Sequence, residues 1–132
     1  MVRLSKRVEY ALIALRCFDT SGGETVTTRT ISQRYKIPYD LLAKILQKLK
    51  KENILDSQHG INGGYKLIKD LSKISLLELI DIVDRKTLVA DCIENNEKCY
   101  IIDYCTIKSP VNKMQSELQN FLNNKMVSEL LK

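Results

Sequence analysis

The chain has 132 residues, which is the length of one compact domain and is enough to bury a proper core. No apolar run approaches the roughly 20 residues needed to span a bilayer, so a membrane-spanning helix is excluded and a soluble protein is predicted. The formal charge of +5 is uneven: residues 1–70 hold 13 Lys and Arg against 7 Asp and Glu, a net +6, whereas residues 71–132 hold 8 against 9, a net −1. The basic half is therefore the candidate for contact with a polyanion.

An amphipathic helix is predicted near the N-terminus. Its apolar residues recur every three or four positions, at Leu4, Val8, Ala11, Leu12, Leu15 and Phe18. The pair Gly22-Gly23 ends this helix. Cys17 lies beside the apolar face, where a free cysteine is usually a small core residue.

Two short helices joined by a tight turn are predicted next. After an extended piece at residues 25–27, Thr28 or Thr30 is expected to cap a helix that carries Ile31 and Tyr35. Pro38 can begin a helix but not continue one, and the helix after it has an apolar stripe of Leu41, Leu42, Ile45, Leu46 and Leu49. Such a pair in the basic half is typical of a helix-turn-helix, whose second helix enters the major groove of DNA.

The opposite face of this second helix is the predicted DNA-reading surface, with a merely solvated face as the alternative. Base edges are expected to meet Tyr39, Asp40, Ala43 and Lys44. Phosphates are expected to meet Lys48 and Lys51. Further DNA contacts are assigned to Arg3, Thr28 and Pro38.

A glycine-rich hairpin follows the helix pair. One strand begins at Ile54-Leu55, the other holds Tyr65, Leu67 and Ile68, and the sequence HGINGGY between them predicts a flexible tip. Beside a helix-turn-helix, such a hairpin is a wing. Its predicted DNA contacts are His59, Gly60, Asn62 and Gly63, and simple exposure is the alternative for His59.

One more helix is predicted from Ser75, with apolar residues Leu76, Leu77, Leu79, Ile80 and Val83. Ser75 is a suitable N-cap, and Glu78 takes the matching position of a capping box. We expect this helix to close over the winged domain.

Three of the four cysteines, Cys92, Cys99 and Cys105, lie in a segment at residues 91–105 that has almost no helical periodicity and is predicted to be a loop. Thiolates ligate soft metals and iron-sulfur clusters, whereas zinc usually takes a tighter cysteine pair than any found here. An odd cysteine set without a secretory signal indicates a reducing cytoplasm. Shared ligation of one cluster is the favoured interpretation, with unrelated loop thiols or a reversible disulfide as alternatives.

The last predicted element is a helix whose apolar residues alternate spacings of four and three: Ile107, Val111, Met114, Leu118 and Phe121. This pattern is that of a helix packing along another helix. Because little of the chain remains to cover it, we expect a homodimer through this seam, with packing onto its own domain as the alternative. The predicted fold is mainly α, with a winged helix-turn-helix DNA-binding domain at residues 1–84 and a cysteine loop and dimerisation helix at residues 85–132.

These parts together resemble the winged-helix iron-sulfur repressors that include IscR, NsrR and RirA. The resemblance covers nearly the whole chain, through RLSKRVEYAL, IPYDLLAKILQKLKKENIL, HGINGGYKL, ISLLELIDIVD and the three-cysteine loop. It implies a homodimeric cytoplasmic transcription factor that binds a palindromic operator in double-stranded DNA. It also implies that a cluster near the dimer interface alters DNA binding.

The resemblance also bears on the ligands. IscR-like members have a histidine three residues after the last cysteine, where this chain has Lys108. NsrR-like members use an acidic residue of the partner's first helix, and Glu9 occupies that place, although from the residues alone it is a solvated carboxylate near Lys6. The implied ligands are Cys92, Cys99, Cys105 and Glu9 of the partner subunit, around a [4Fe–4S] cluster in preference to [2Fe–2S]. Where relatives often have arginine before the wing glycine, this chain has His59, which implies weaker or pH-sensitive DNA binding.

The resulting hypothesis is a DNA-binding regulator, most simply a repressor, that senses redox conditions, nitric oxide or iron-sulfur status. Loss of the cluster would remove the link between the cysteines and Glu9 of the partner subunit, and this would change the spacing of the two recognition helices. One alternative is a cluster-free regulator that switches by thiol oxidation, and another is an iron-sulfur carrier without a DNA role. An enzyme is not expected, because the chain has one histidine, no hydrolase triad and no phosphate-cradling glycine loop.

Overall fold

The computed structural model of the chain describes residues 3–61, 63–93 and 99–132. Helices dominate it, and a two-stranded antiparallel sheet projects from them. In chain order the elements are α1 (Lys6–Thr20), α2 (Thr28–Tyr35), α3 (Tyr39–Lys51), β1 (Leu55–Gln58), β2 (Gly64–Leu67), α4 (Leu76–Val83), α5 (Lys108–Asn124) and α6 (Val127–Leu130). The prediction of a mainly helical winged helix-turn-helix fold is confirmed. Within the described ranges, no helix is both long and apolar enough to cross a membrane.

Helix α1 is buried along one side against the rest of the domain. Ser5 caps it by accepting a hydrogen bond from the Val8 N–H at 3.3 Å, so the helix begins at Lys6, two residues after the predicted Leu4. The buried side consists of Val8, Ala11, Ala14, Leu15, Cys17 and Phe18. Cys17 is therefore a core residue, as predicted.

The cap of α2 is Thr27, so the predicted caps Thr28 and Thr30 are wrong. Thr27 has the extended backbone of an N-cap, and its hydroxyl accepts from the Thr30 N–H at 3.1 Å. Thr28 is consequently the first helical residue. Val26, the residue before Thr27, forms two backbone hydrogen bonds with Tyr65 of β2, at 2.8 and 2.9 Å. This pairing adds a third extended segment to the hairpin.

The hairpin pairs Leu55 with Leu67 at its base and Gln58 with Gly64 at its outer end. Ile68 was predicted within the second strand but lies one residue beyond it, and its N–H donates to the Ile54 carbonyl at 3.0 Å. The short sheet is anchored by the buried Ile54 and Leu55.

The C-terminal part folds back onto the winged domain. Ser75 caps α4 as predicted, accepting from the Glu78 N–H at 3.1 Å, and its hydroxyl also donates to Asn123 at 3.1 Å. Two backbone hydrogen bonds join the same regions: Leu76 N–H to the Lys125 carbonyl at 2.7 Å and Val127 N–H to the Ile74 carbonyl at 2.8 Å. Leu122 and Val127 thereby enter the same core as α1, α3 and α4. The short helix α6 was not predicted.

Candidate DNA-binding surface and cysteine site

Helix α3 has one buried and one exposed face. The buried face consists of Leu42, Ile45, Leu46 and Leu49. On the opposite side, the predicted DNA-contacting residues Tyr39, Asp40, Lys44, Lys48 and Lys51 are exposed and Ala43 is half-buried. The structure thus brings these six predicted residues onto one helix and leaves five of them open to a ligand.

The turn before α3 fixes the angle of that helix. Lys36 ends α2 in the left-handed conformation, with φ of 56°, and the hydroxyl of Ser32 donates to the Ile37 carbonyl at 2.6 Å. Ile37 is buried and anchors the turn in the core. Pro38 follows in the N-cap position and is exposed. A tight, anchored turn of this kind holds the exposed face of α3 in a constant orientation.

The tip of the wing is held in shape by glycine. The Gly63 N–H donates to the Gly60 carbonyl at 3.0 Å, and a Cβ atom on Gly63 would fall 2.6 Å from the carbonyl oxygen of Gln58. Only glycine fits there without a shift of the backbone. His59 and Gly60 are exposed at this tip, whereas the predicted contact Asn62 lies outside the described residues.

Tyr65 of the wing lies near enough to Tyr39 of α3 for the two phenols to influence each other electrostatically. Burial raises the pKa of Tyr65 above its usual value, and the nearby Tyr39 phenol adds to that shift. Tyr65 therefore keeps its proton at neutral pH. Because Tyr65 is also paired with Val26, the outer half of the hairpin is joined to the segment before α2.

Arg3 lies in a different environment from the α3 residues. It lines a cleft of about 380 Å³ between the start of α1 and residues 84–89, a segment that also contributes Arg85 and Lys86. Thr28 is half-buried at the start of α2. The structure thus places Arg3 beside other cations at this cleft.

The three clustered cysteines are half-buried, and all four thiols of the chain are free. Cys92 lies in a short 3-10 turn at Asp91–Ile93, and Cys105 directly follows another at Ile102–Tyr104. The carbonyl of Cys99 accepts from the Ile102 N–H at 3.4 Å. Among the described residues of one protomer, no three His, Cys, Asp or Glu side chains form a group able to hold a metal ion. The thiols are soft, accessible donors that suit iron, but no complete ligand set is assembled within the described part of one protomer.

Glu9 lies on the first turn of α1 and forms an ion pair with Lys6 at 2.9 Å. This hydrogen bond and the charge of Glu9 raise the pKa of Lys6. The Glu9 side chain is 42% exposed, so the pair is a surface one and is weak. The carboxylate is therefore free to exchange Lys6 for another partner.

Helix α5 divides the predicted dimer seam between two faces. Ile107, Met114 and Phe121 are 59, 51 and 57% exposed, and they follow one another at intervals of seven residues. Leu118 instead packs against the core of its own domain, and Val111 is half-buried. The stripe offered outward is thus narrower than the sequence predicted, although it has the repeat of a helix-packing seam.

Two structural residues of this region were missed by the sequence reasoning. Gln115 is buried on the inward face of α5, where the spacing of Val111, Leu118 and Leu122 leads one to expect an apolar residue. That break in the apolar pattern was a readable signal. Asp84 at the end of α4 lies 3.5 Å from Arg7 of α1. A single acidic residue does not indicate in the sequence that it will pair with another helix.

Comparison with known proteins gives a family match over almost the whole chain. The model of the Rrf2 family, described as an iron-dependent transcriptional regulator, matches residues 4–132. The HTH-type transcriptional regulator IscR of Escherichia coli is 30% identical over 132 residues, covering 98% of this chain and 80% of that protein. Protein aau3 of Rhizobium meliloti is 26% identical over 132 residues, covering 99% and 86%.

Solved structures share the fold. T. potens IscR superposes with a TM-score of 0.72 at 18% identity, covering 98% of this chain and 86% of that one. The oxidized form of Staphylococcus aureus CymR superposes with a TM-score of 0.73 at 16% identity, covering 99% and 97%. At such identities the likeness extends to the architecture alone.

Proposed function

The chain belongs to the Rrf2 family of transcriptional regulators, and from that premise we propose that it is a homodimeric repressor whose cysteine segment holds an iron-sulfur cluster. DNA binding and transcriptional regulation follow from the family, as does the absence of an enzymatic role that the sequence predicted. The dimer, the cluster and the sensing of redox conditions, nitric oxide or iron-sulfur status are the proposed parts. An iron-sulfur carrier without a DNA role does not agree with the family.

The DNA-binding part of the proposal rests on α3 and the wing. Lys44 and the residues around it on the exposed face of α3 would enter the major groove, and the tip at His59 and Gly60 would reach the adjacent backbone. A homodimer presents two such surfaces, which favours a palindromic operator with half-sites about 34 Å apart. The exposed stripe of Ile107, Met114 and Phe121 supports a dimer through α5, because three large apolar side chains at a seven-residue repeat otherwise face water.

The single observation that carries the cluster proposal is the state of Cys92, Cys99 and Cys105. They are free, half-buried thiols in one short segment, whereas Cys17 is in the core. Since the described part of one protomer does not complete a ligand set, the fourth ligand would come from outside it. Glu9 of the second protomer is the proposed donor, as in NsrR-like proteins, because its carboxylate is accessible and forms a surface ion pair with Lys6.

The proposed ligands connect two parts of the molecule. When bound, the cluster supplies an iron site open to nitric oxide or oxygen, because iron holds a carboxylate more weakly than a thiolate. Glu9 belongs to α1 of the DNA-binding domain, whereas Cys105 lies just before α5. A shared ligand set would therefore fix the DNA-binding domain of one protomer relative to the dimer helix of the other. Without it, that constraint on the two α3 helices is lost.

The test is the metal content of protein purified without oxygen. Such protein is expected to be coloured and to contain iron and sulfide, and Cys99→Ala should lose both. Cys17→Ala is the matched control, because that thiol is in the core, and it should keep both. Glu9→Gln should load the cluster but lose it faster on exposure to nitric oxide. Colourless wild-type protein with full operator affinity would contradict the proposal.

A second candidate function is regulation by thiol oxidation without a cluster. The same three thiols are half-exposed and free, and a structural neighbour, S. aureus CymR, has been solved in an oxidized form. Oxidation of a cysteine pair to a disulfide removes two hydrogen atoms, one from each thiol, to the oxidant. Intact mass measured after peroxide treatment of metal-free protein distinguishes the two functions. A reversible loss of two hydrogens, with a matching change in DNA affinity, favours the thiol switch.

A further inference from the structure

Gln115 is a buried polar side chain with both of its amide groups paired. It is 5% exposed on the inward face of α5. Its Nε2 donates to the Thr87 carbonyl at 2.7 Å, and its Oε1 accepts from the Val89 N–H at 2.9 Å. The side-chain amide thus pairs with two alternate residues of the irregular segment between α4 and the cysteines. Nothing in the stability of α5 itself requires an amide at this position.

The paired segment leads directly to the first cysteine. Cys92 is three residues beyond Val89, and a hydrogen bond of 3.2 Å from the Ile93 N–H to the Ala90 carbonyl closes the turn that contains it. We call the two hydrogen bonds of Gln115 to Thr87 and Val89 the clamp. At no more than about 3.5 Å per residue, Cys92 is within roughly 11 Å of Val89. A change in the position of Cys92 therefore acts on Gln115 through a very short piece of chain.

The other end of the segment is attached to α1. The hydroxyl of Ser5 donates to the Asp84 carboxylate, and Arg7 lies 3.5 Å from that carboxylate. Between its two attachments the segment passes over the cleft of about 380 Å³ that it shares with α1. Residues 84–89 thus line an open cleft and are attached through Asp84 at one end and through Gln115 at the other.

We propose that Gln115 is the positioning residue that transmits the state of Cys92 to the dimer helix α5. The segment that it grips joins α4, α1 and the cysteines, and its release would let Cys92 move without moving α5. This role rests on the proposed function, because the transmitted signal is the state of the proposed cluster. The two hydrogen bonds of the clamp, however, are present in the protein without metal.

The clamp is tested on metal-free, reduced full-length protein. In Gln115→Glu the carboxylate still accepts from Val89 but cannot donate to Thr87, and Gln115→Met removes both bonds while keeping a long side chain. In Gln115→Met we expect the Val89 amide to exchange with deuterium, and Cys92 to react with iodoacetamide, about tenfold faster; in Gln115→Glu, which keeps the bond from Val89, both increases should be smaller. Gln119→Glu is the control, because Gln119 is an exposed residue one turn after Gln115 and the substitution makes the same change of charge. Its exchange and labelling rates should match those of wild type. Cys17 should remain as unreactive as in wild type, which reports intact folding.

The transmission is tested by the ratio of promoter-DNA affinities of the metal-loaded and metal-stripped protein. Gln115→Met should bring that ratio close to one and Gln115→Glu should bring it part of the way, whereas Gln119→Glu should keep the wild-type ratio. Faster exchange at Val89 with an unchanged affinity ratio would overturn the inference, as would unchanged exchange at Val89. If the wild-type protein contains iron but its affinity ratio is one, the proposed sensing is refuted, and the inferred transmission is refuted with it. The hydrogen bonds of the clamp are then still tested by the exchange measurement.

Discussion

Gly64 lies so close to Val26 that a Cβ atom at position 64 would be 2.8 Å from the Val26 carbonyl oxygen. Its φ of +142° is also one that side-chain-bearing residues rarely adopt. The next residue, Tyr65, forms the two backbone hydrogen bonds to Val26. Glycine at position 64 is therefore what lets the wing join the segment that precedes α2.

Gly64→Ala is expected to destabilise the fold by about 2 kcal/mol or more, since it combines backbone strain with a steric clash. Gly23→Ala is the matched control: its φ of +89° is also strained, but nothing lies within 4 Å of the added Cβ. The control should lose only about 1 kcal/mol. Urea unfolding at neutral pH measures both, and equal losses would show that contact with Val26 is unimportant.

Asp84 should make stability depend on pH at the acid end. The hydroxyl of Ser5 donates to this carboxylate and lowers its pKa below the usual 3.8, with the Arg85 N–H and Arg7 adding to the effect against the opposing influence of burial. Because the folded pKa is below the unfolded one, the stabilisation is present above 3.8 and is lost as pH falls through the folded value. Asp84→Asn should therefore cost about 1 kcal/mol at neutral pH, and this difference should shrink as the pH falls below 3.8 and through the folded pKa.

Urea midpoints of wild type and Asp84→Asn over this pH range test the prediction. Asp81→Asn is the control, because Asp81 is an exposed carboxylate of the same helix and should have little effect at either pH. A constant difference between wild type and Asp84→Asn at all pH values would show that the charge of Asp84 is not involved.

Lys48→Ala should weaken binding to operator and non-operator DNA by similar factors. If its ammonium neutralises one phosphate, the slope of log affinity against log salt should become shallower by about 0.9. Lys44→Ala, nearer the start of α3, should instead reduce the preference for the operator. Fluorescence anisotropy at several salt concentrations measures both effects. Lys113→Ala on α5 is the control, because it removes an exposed charge outside α3 and should leave the slope as in wild type. If Lys48→Ala also has the wild-type slope, Lys48 does not contact a phosphate.

Phe121→Glu should dissociate the dimer, because it places a charge on the outward stripe of α5 in place of an aromatic side chain. An aromatic anchor residue of an interface commonly contributes about 2 kcal/mol or more, so the dissociation constant should rise by about 30-fold or more. Asn120→Glu adds the same charge beside the stripe, at an exposed polar position, and should have a small effect. Light scattering over a range of concentrations reports the mass. A dimer unaffected by Phe121→Glu would place the interface elsewhere.

Local patterns in the sequence predicted most of the fold. The three- and four-residue spacing of apolar side chains located α1, α3, α4 and α5, and Ser75 was identified correctly as a cap. The error at Thr27 arose because three neighbouring threonines can all cap, and the backbone of the extended segment decides among them. Spacing alone identified these elements because each buries one face of a helix.

The candidate site was less accessible to sequence reasoning, because its contacts join distant parts of the chain. The pairing of Gln115 with Thr87 and Val89 spans more than 25 residues, and no local pattern encodes it. Leu118 was assigned to the outward seam because its spacing fits both faces of α5, and only the presence of a core on one side separates them. The roles of Cys92, Cys99, Cys105 and Glu9 remain predictions from resemblance and thiol chemistry.

The backbone pairing of Val127 with Ile74 has a consequence for synthesis. Helices α1 to α4 are translated first, yet the core that they share includes Leu122 and Val127. A nascent chain stopped before Leu122 would leave apolar surface on α4 uncovered, so final folding must wait until this segment has left the ribosome. Newly made regulator should accordingly acquire its native compactness only after translation of the segment that carries Val127.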